Sequence, residues 1–203
     1  MSKQDSGFYI RRLHSLLGVI PLGVFLIQHL LVNFTATYSE EAFNFAAGIM
    51  GNLPFVILLE VFIIYLPILF HGIYGIYIAF TAKMNVGHYS TYRNWMFVLQ
   101  RVSGVIAFIF IAVHVYQTRV QVFFGDEVNF QMVEEVVDNP FWLAFWLIGV
   151  VATVFHFANG LWSFMITWGI TQSKRSQQVM SYLAILVFLV ISTIGVMAIL
   201  AFV

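Results

Sequence analysis

Cysteine is absent from the 203-residue chain, and charge is scarce, since Asp, Glu, Lys and Arg together make up only 9% of the residues. The absence of cysteine excludes disulfides, protein-ligated iron–sulfur clusters, Cys-based zinc sites, thiol catalysis and covalently attached c-type haem. A soluble domain carries about 25% charged residues. The low charge therefore excludes an ordinary soluble enzyme, a disordered chain and a nucleic-acid-binding protein. Any redox centre in this chain must be held by His, Met or carboxylate side chains.

Five long and nearly charge-free segments dominate the chain. Each exceeds the roughly 20 residues needed to cross a hydrocarbon core about 30 Å thick. The segments cover residues 13–34, 54–82, 95–118, 140–169 and 179–203. Their apolar runs are continuous rather than alternating, which favours helices over a membrane β-barrel. We therefore predict an all-α membrane protein, with residues 1–203 forming a single transmembrane domain of five helices surrounded by lipid.

The basic residues predict how the helices cross the membrane. Seven of the nine Lys and Arg residues lie in the N-terminal tail, between helices two and three, and between helices four and five. The positive-inside rule then places the N-terminus in the cytoplasm and the C-terminus outside. The other two connections, 35–53 and 119–139, are acidic, and each is long enough for a short interfacial helix. Ser39 followed by Glu40 and Glu41 is typical of a helix N-cap.

Four of the six histidines lie inside apolar segments, one in each of helices one to four. They are His29, His71, His114 and His156. An ionisable residue within the membrane is a functional hypothesis by default. A single intramembrane histidine is explained equally well as a hydrogen-bonding group between helices. Four of them, distributed one to a helix, favour a bound group.

The four histidines lie at two depths. At about 1.5 Å of rise per residue, His114 lies roughly 27 Å along helix three from the cytoplasm, level with His29 near the outer end of helix one. His71 and His156 lie about 24 and 22 Å from the outer ends of helices two and four. We call His71 and His156 the proximal pair and His29 and His114 the distal pair, roughly 20 Å apart. A bundle of helices one to four, with the two pairs on opposite diagonals, satisfies these positions.

Two histidines that face each other across a bundle, with no other ligand at their level, are typical of bis-imidazole haem iron. Zinc prefers about four ligands, which neither level supplies. Gly75 and Gly160 follow the proximal histidines by four residues, and Gly18 and Ser103 precede the distal ones by eleven. These small residues either leave room for a porphyrin or allow close helix packing. Two buried carriers at different depths would form a transmembrane electron path, and no flavin fingerprint or catalytic domain accompanies them, so we predict an anchor subunit.

The chain resembles the dihaem cytochrome b subunits of bacterial succinate:menaquinone oxidoreductases, of the type found in Bacillus-like Gram-positive bacteria. The resemblance extends over essentially the whole chain and includes each of the four intramembrane histidines. Its most specific segments are FYxRRLHSLLGVIP at 8–21, IQHL at 27–30, YIAFTAK at 77–83, RNW at 93–95, LQR at 99–101 and FHFxNGLWSF at 155–164.

The resemblance implies two haem b groups in a bacterial cell membrane, one ligated by His71 and His156 and the other by His29 and His114. It also implies two partner subunits on the cytoplasmic face. A flavoprotein subunit would oxidise succinate to fumarate, and an iron–sulfur subunit would pass electrons to the proximal haem, then the distal haem, then menaquinone near the outer side. The chain would be the electron-transfer and quinone-reducing subunit of succinate dehydrogenase, with the succinate site on another subunit.

Two charged residues remain within the predicted membrane segments. Glu60 precedes His71 by eleven residues, about 16 Å, which places it near the distal level. It is either a proton carrier for a quinone site or an interfacial carboxylate that reaches water. Arg101 lies thirteen residues before His114, near the proximal level. It either pairs with a haem propionate or extends to the cytoplasmic interface.

Two other functions are compatible with the sequence. One is the anchor of a quinol:fumarate reductase, which differs chiefly in the direction of the reaction. The other, from a different class, is a haem-free transporter that uses intramembrane histidines as a proton relay. A transporter needs a polar substrate path, and the apolar segments contain few polar residues besides the histidines.

Overall fold

The fold is that of an all-α membrane protein with five transmembrane helices, which confirms the predicted fold class. The computed structural model describes residues 3–203, with side chains from residue 7; residues 1 and 2 of the predicted domain lie outside the described part. The chain is 82% helical, and residues 3–203 contain no strand. Five segments are long and apolar enough to cross a membrane. Numbered spans 1 to 5, they are Gly7–Thr37, Val56–Thr81, Tyr92–Phe123, Pro140–Thr167 and Lys174–Leu200.

Spans 1 to 3 are divided into shorter helical segments, whereas spans 4 and 5 are each one uninterrupted α-helix. Span 1 consists of the helix Lys3–Val19, which begins four residues before the span, the helix Pro21–Phe34 and a short 3-10 turn, Thr35–Thr37. Span 2 contains Val56–Leu59, a π-helix, Glu60–Tyr65, and Leu66–Thr81. Span 3 contains Tyr92–Gln117 and Arg119–Phe123. Two further connecting helices, Glu40–Gly51 and Phe130–Val137, lie in the loops after spans 1 and 3.

Polar capping residues set where several helices begin, so some helices begin before their apolar run. Thr91 accepts a hydrogen bond from the backbone N–H of Asn94 ahead of span 3. Ser173 forms a capping box with Ser176, so span 5 begins at Lys174, five residues before the apolar run expected from 179. A side-chain oxygen at the N-cap satisfies an N–H that would otherwise lack a partner.

The connecting helix Glu40–Gly51 confirms the N-cap predicted at Ser39. The Ser39 hydroxyl accepts a hydrogen bond from the backbone N–H of Ala42 at 3.1 Å, with Glu40 and Glu41 in the first turn. Hydrogen bonds from its own backbone N–H and from Ser39 hold the pKa of Glu41 below its ordinary value. Each of the two loops that were expected to be long enough for a short helix does contain one.

Irregular backbone occurs beside the prolines within the spans. The α-helix of span 1 is interrupted at Ile20 and resumes at Pro21, because proline has no N–H to continue the ladder of hydrogen bonds. In span 2 the π-helix Glu60–Tyr65 ends directly before Leu66 and Pro67. Such π segments are rare and are frequently found at functional sites.

Span 4 lies at the centre of the packing and contacts spans 1, 3 and 5. Its side chain at Val154 is fully buried, at 0% exposure. Span 5 packs against span 4 and against the second half of span 1. Its contact with span 4 is close, since a Cβ atom on Gly195 would lie 2.6 Å from Val150. Span 5 therefore supports the bundle, and many of its remaining apolar side chains are exposed, as expected for contact with lipid.

An aromatic cluster joins the two connecting helices to the end of span 5. The ring centroid of Phe43 lies 5.0 Å from that of Phe202 and 6.3 Å from that of Phe130. Phe130 and Phe202 are 4.7 Å apart. Phe43 is only 3% exposed. The cluster therefore forms a small core at the end of the bundle where span 5 ends.

This cluster predicts a local difference in stability. Phe43→Ala should lower the free energy of unfolding in detergent by about 3 kcal/mol, because it removes a buried ring and leaves a cavity. Phe45→Ala on the same helix is the matched control, since Phe45 is 73% exposed; its effect should stay within about 0.5 kcal/mol. Equal losses of stability in the two variants would contradict the buried cluster.

Candidate haem-binding site

The distal histidines approach each other across spans 1 and 3. Their imidazole centroids lie 5.8 Å apart, with the ring planes at 75°. Aromatic side chains surround them: Phe25 stacks on His29 at 5.3 Å, Phe110 stacks on His114 at 5.6 Å, and Trp146 meets the edge of His114 at 4.7 Å. The site is therefore a pair of imidazoles enclosed by apolar walls.

The polar atoms around the distal pair are unevenly satisfied. The Asn33 amide donates to the backbone carbonyl of His29 at 2.8 Å and lies 3.4 Å from His29 Nε2. His114 Nδ1 is buried and has no hydrogen-bond partner among the described residues. His114 Nδ1 is therefore a buried polar atom that lacks a hydrogen bond, which is uncommon in folded proteins.

The proximal histidines approach each other across spans 2 and 4. Their centroids lie 6.0 Å apart, with the ring planes at 84°. His71 Nδ1 lies 2.9 Å from the backbone carbonyl oxygen of His14, and His156 Nδ1 lies 3.0 Å from that of Gln100. Because a carbonyl oxygen only accepts hydrogen bonds, each of these two contacts is a hydrogen bond when Nδ1 carries the proton. Each Nε2 is then left with a free lone pair, the form in which histidine binds a metal.

Sequence reasoning did not identify Gln100, which connects span 3 to the proximal histidine of span 4. The Gln100 amide nitrogen donates to the backbone carbonyl of His156 at 3.0 Å and lies 3.2 Å from His156 Nδ1. Asn159 donates to the Gln100 side-chain oxygen at 2.7 Å and to the Met96 carbonyl at 3.1 Å. Helical spacing could have predicted this contact, because positions 96 and 100 share one helix face, as do positions 156 and 159.

Sequence reasoning also missed the position of His14. No contact was predicted for His14, and its ring stacks on His71 with centroids 4.1 Å apart and planes 4° from parallel. His14 Nε2 is buried without a hydrogen-bond partner among the described residues. The proximal level thus contains a third imidazole beside the two predicted ligands.

The glycines near the proximal level lie against polar rings and amides. An added Cβ would lie 2.3 Å from His71 Cε1 at Gly18 and 2.8 Å from His156 Cε1 at Gly104, a residue that was not predicted. At Gly75 it would lie 3.2 Å from His14 Nε2, and at Gly160 it would lie 3.3 Å from the Gln100 amide nitrogen. Ser103 is buried and donates to the Gln100 carbonyl at 3.2 Å. The small residues therefore provide close access to the histidine rings.

Glu60 forms an ion pair with Arg119 at the end of span 3, with 2.9 Å between the carboxylate and guanidinium groups. The two side chains are only 19% and 27% exposed. Arg119 was expected in a loop, but it begins the short helix Arg119–Phe123, which continues span 3. Glu60 is the first residue of the π-helix. Glu60 thus pairs with a cation instead of simply reaching water.

Arg101 contacts its own helix. Its guanidinium donates to the Phe97 carbonyl at 2.7 Å and lies 3.2 Å from the centre of the Phe97 ring. Contact with a haem propionate stays a prediction. Two other arginines lie near the C-terminal end of span 4. Arg12 donates to the Thr167 carbonyl, and Arg93 lies over the Trp162 ring and donates to the Ser181 hydroxyl of span 5.

The residues present fit haem better than a bare metal ion. Among residues 3–203, no group of three or more His, Asp and Glu side chains is arranged to hold a metal ion. Each level instead offers two facing imidazoles, 5.8 Å or 6.0 Å apart, and imidazole is a ligand of haem iron. The Nδ1 atoms of the proximal imidazoles face backbone carbonyls, His114 Nδ1 has no partner among the described residues, and glycines border the proximal rings. The residues at both levels are therefore chemically compatible with haem.

Known proteins with similar sequences are membrane subunits. The family model for "Succinate dehydrogenase/Fumarate reductase transmembrane subunit" matches residues 79–196. The chain is 56% identical over 196 residues to the succinate dehydrogenase cytochrome b558 subunit of Bacillus subtilis, with 97% of each chain covered. It is 35% identical over 82 residues to the succinate dehydrogenase hydrophobic membrane anchor subunit of Thermoplasma acidophilum, covering 40% of this chain and 60% of that protein.

The ion pair between Glu60 and Arg119 predicts energetic coupling. In a double-mutant cycle of Glu60→Gln and Arg119→Gln, the coupling free energy should lie between about 0.5 and 3 kcal/mol, since each single variant leaves one partly buried charge unpaired. Unfolding in detergent measures it. The exposed pair Gln131 and Glu135, 2.9 Å apart, provides a control cycle with coupling near zero. Additive effects at Glu60 and Arg119 would show that the pair is not formed.

Proposed function

The chain belongs to the succinate dehydrogenase/fumarate reductase transmembrane subunit family, and on that premise we propose that it is the dihaem cytochrome b anchor of a succinate:menaquinone oxidoreductase. The observation that carries the proposal is the pairing of four intramembrane histidines, with centroid distances of 5.8 Å and 6.0 Å. The whole chain, residues 1–203, acts as one domain in this proposal. Spans 1 to 4 hold the two haem groups, and span 5 supports them.

Each pair of histidines would hold one haem b. His71 and His156 hold the proximal haem, and their protonated Nδ1 atoms leave Nε2 available for iron. His29 and His114 hold the distal haem between aromatic side chains. When bound, the two haems supply one-electron transfer across the membrane, from an iron–sulfur donor to menaquinone.

The orientation in this proposal places the N-terminus in the cytoplasm and the C-terminus outside a bacterial cell membrane. Seven of the nine Lys and Arg residues would then lie on the cytoplasmic side, in agreement with the positive-inside rule. The flavoprotein and iron–sulfur subunits dock on that basic face. In this proposal the succinate site is on another subunit, and the chain contributes to the enzyme by electron transfer and quinone reduction.

Glu60 is the proposed proton carrier of a quinone site near the distal haem. It begins the π-helix of span 2 and is held by Arg119 in a region where carboxylates are costly. The ion pair keeps the carboxylate in one place while leaving it 19% exposed. Arg101, at the proximal level, is the proposed partner of a haem propionate, because guanidinium groups bind carboxylates in a bidentate manner.

The family description also names fumarate reductase. An anchor of a quinol:fumarate reductase would use the same histidines and run electrons in the opposite direction. Both relatives are named as succinate dehydrogenase subunits, which favours succinate oxidation. A haem-free transporter has no support from either relative.

Reduced-minus-oxidised absorption spectra test the haem assignment directly. We expect two b-type haems per purified chain, and we expect His71→Ala and His156→Ala to remove the same spectral component. His29→Ala and His114→Ala should remove the other component. His88→Ala is the control, because His88 is exposed in the connection between spans 2 and 3 and should retain both haems. A colourless wild-type protein, or loss of the same component in His71→Ala and His29→Ala, would contradict the assignment.

Succinate:quinone reductase activity tests Glu60 separately. Glu60→Gln should retain both haems while quinone reduction falls by about a hundredfold, the lower end of what a positioned proton carrier contributes. Glu41→Gln, which changes a carboxylate on a connecting helix, should leave activity unchanged. Wild-type activity in Glu60→Gln with both haems present would remove Glu60 from the mechanism.

A further inference from the structure

The proximal site is built from two equivalent halves. In one half, the backbone carbonyl of His14 accepts the Nδ1 proton of His71, and Gly18 lies four residues after His14. In the other half, the carbonyl of Gln100 accepts the Nδ1 proton of His156, and Gly104 lies four residues after Gln100. The same backbone contact with the same spacing to glycine therefore occurs once in span 1 and once in span 3.

Helix geometry explains why glycine lies four residues after each acceptor. The carbonyl of residue i in an α-helix accepts the N–H of residue i+4. Side chains on a helix tilt toward its N-terminus, so the side chain of residue i+4 covers the region around the carbonyl of residue i. A second donor from a neighbouring helix can reach that carbonyl only if residue i+4 has no side chain in the way.

The distances agree with this explanation in both halves. A Cβ on Gly18 would lie 2.3 Å from Cε1 and 2.8 Å from Nδ1 of His71. A Cβ on Gly104 would lie 2.8 Å from Cε1 and 3.0 Å from Nδ1 of His156. Neighbouring atoms must move to admit contacts this short, and in each half the atoms concerned belong to the histidine ring. An alanine at either position would therefore push the ring away from its carbonyl acceptor.

We propose that Gly18 and Gly104 are positioning residues for the proximal haem, because their missing side chains admit the His71 and His156 rings to backbone carbonyls. The proposal rests on the proposed function, in which these two histidines ligate haem iron. The acceptors are backbone atoms, so the side chains at the two equivalent positions are free to differ. One is His14, which stacks on His71, and the other is Gln100.

The contact has a consequence for the reduction potential of the proximal haem. Donation of the Nδ1 proton to a carbonyl makes the imidazole a more basic ligand, and a more basic ligand stabilises the ferric state. Loss of this hydrogen bond should therefore raise the reduction potential of the proximal haem. The distal pair differs, because Nδ1 of His114 has no hydrogen-bond partner among the described residues. The effect should be confined to the proximal haem.

Potentiometric titration of the complete membrane complex tests the proposal, with the electron paramagnetic resonance signal of each haem as a second readout. Gly18→Ala and Gly104→Ala should each raise the potential of the proximal haem and change its resonance signal, while the distal haem keeps the wild-type values. Gly195→Ala is the matched control, because its Cβ would lie 2.6 Å from Val150, a similarly short contact with no histidine. It should leave both haems unchanged.

An unchanged proximal potential in the two alanine variants, or an equal shift in Gly195→Ala, would overturn the proposal. If an alanine variant fails to assemble, replacement of His71 or His156 by Nδ1-methylhistidine decides the matter, because it removes the Nδ1 proton and keeps Nε2. The proximal potential should again rise, whereas the same replacement at His114 should not move it; no rise at either position would overturn the proposal. Retention of both haems in His71→Ala and His156→Ala would instead refute the proposed haem ligation, whatever the glycine variants show.

Discussion

A polar group inside a membrane has no water to bind, so its hydrogen-bond partner must come from the protein. This constraint determines how the two proximal histidines are held. The imidazole N–H groups of His71 and His156 have no water to bind in an apolar span, and each donates to a backbone carbonyl of a neighbouring helix. The same bonds determine which ring nitrogen keeps its lone pair. One requirement of membrane burial would thereby leave Nε2 of both proximal histidines free for the proposed haem iron.

Two departures from a single regular helix begin at charged residues within the spans. Span 2 contains the π-helix that begins at Glu60, and span 3 ends in the short helix that begins at Arg119. These two irregular segments bring opposite charges together at one level. The regular helices, spans 4 and 5, provide the packing instead, with Val154 fully buried in span 4. The irregular backbone thus coincides with the ion pair, whereas His156 lies on the regular helix of span 4.

Much of the arrangement could be predicted because helical rise converts sequence position into depth. Counting residues along each apolar segment predicted which histidines share a level, and His29 lies beside His114 as His71 lies beside His156. The contact of Glu60 with Arg119 could not be predicted by counting residues, because it depends on a π-helix in span 2 and on a helix in span 3 that continues past the apolar run. The role of Gln100 was also missed, because depth alone does not show the rotation of a helix about its axis. Gly18 was expected either to leave room for a porphyrin or to allow close helix packing, and its position against the His71 ring could be found only from interhelical distances.

Redox titration of the isolated, purified chain at its b-type haem absorption band is the most direct test of the central claim that one bundle holds two haems. Two one-electron components of equal amplitude should appear, one for each histidine pair, and haem content should equal two per chain. A single component with one haem per chain, or no titrating absorbance, would contradict the claim.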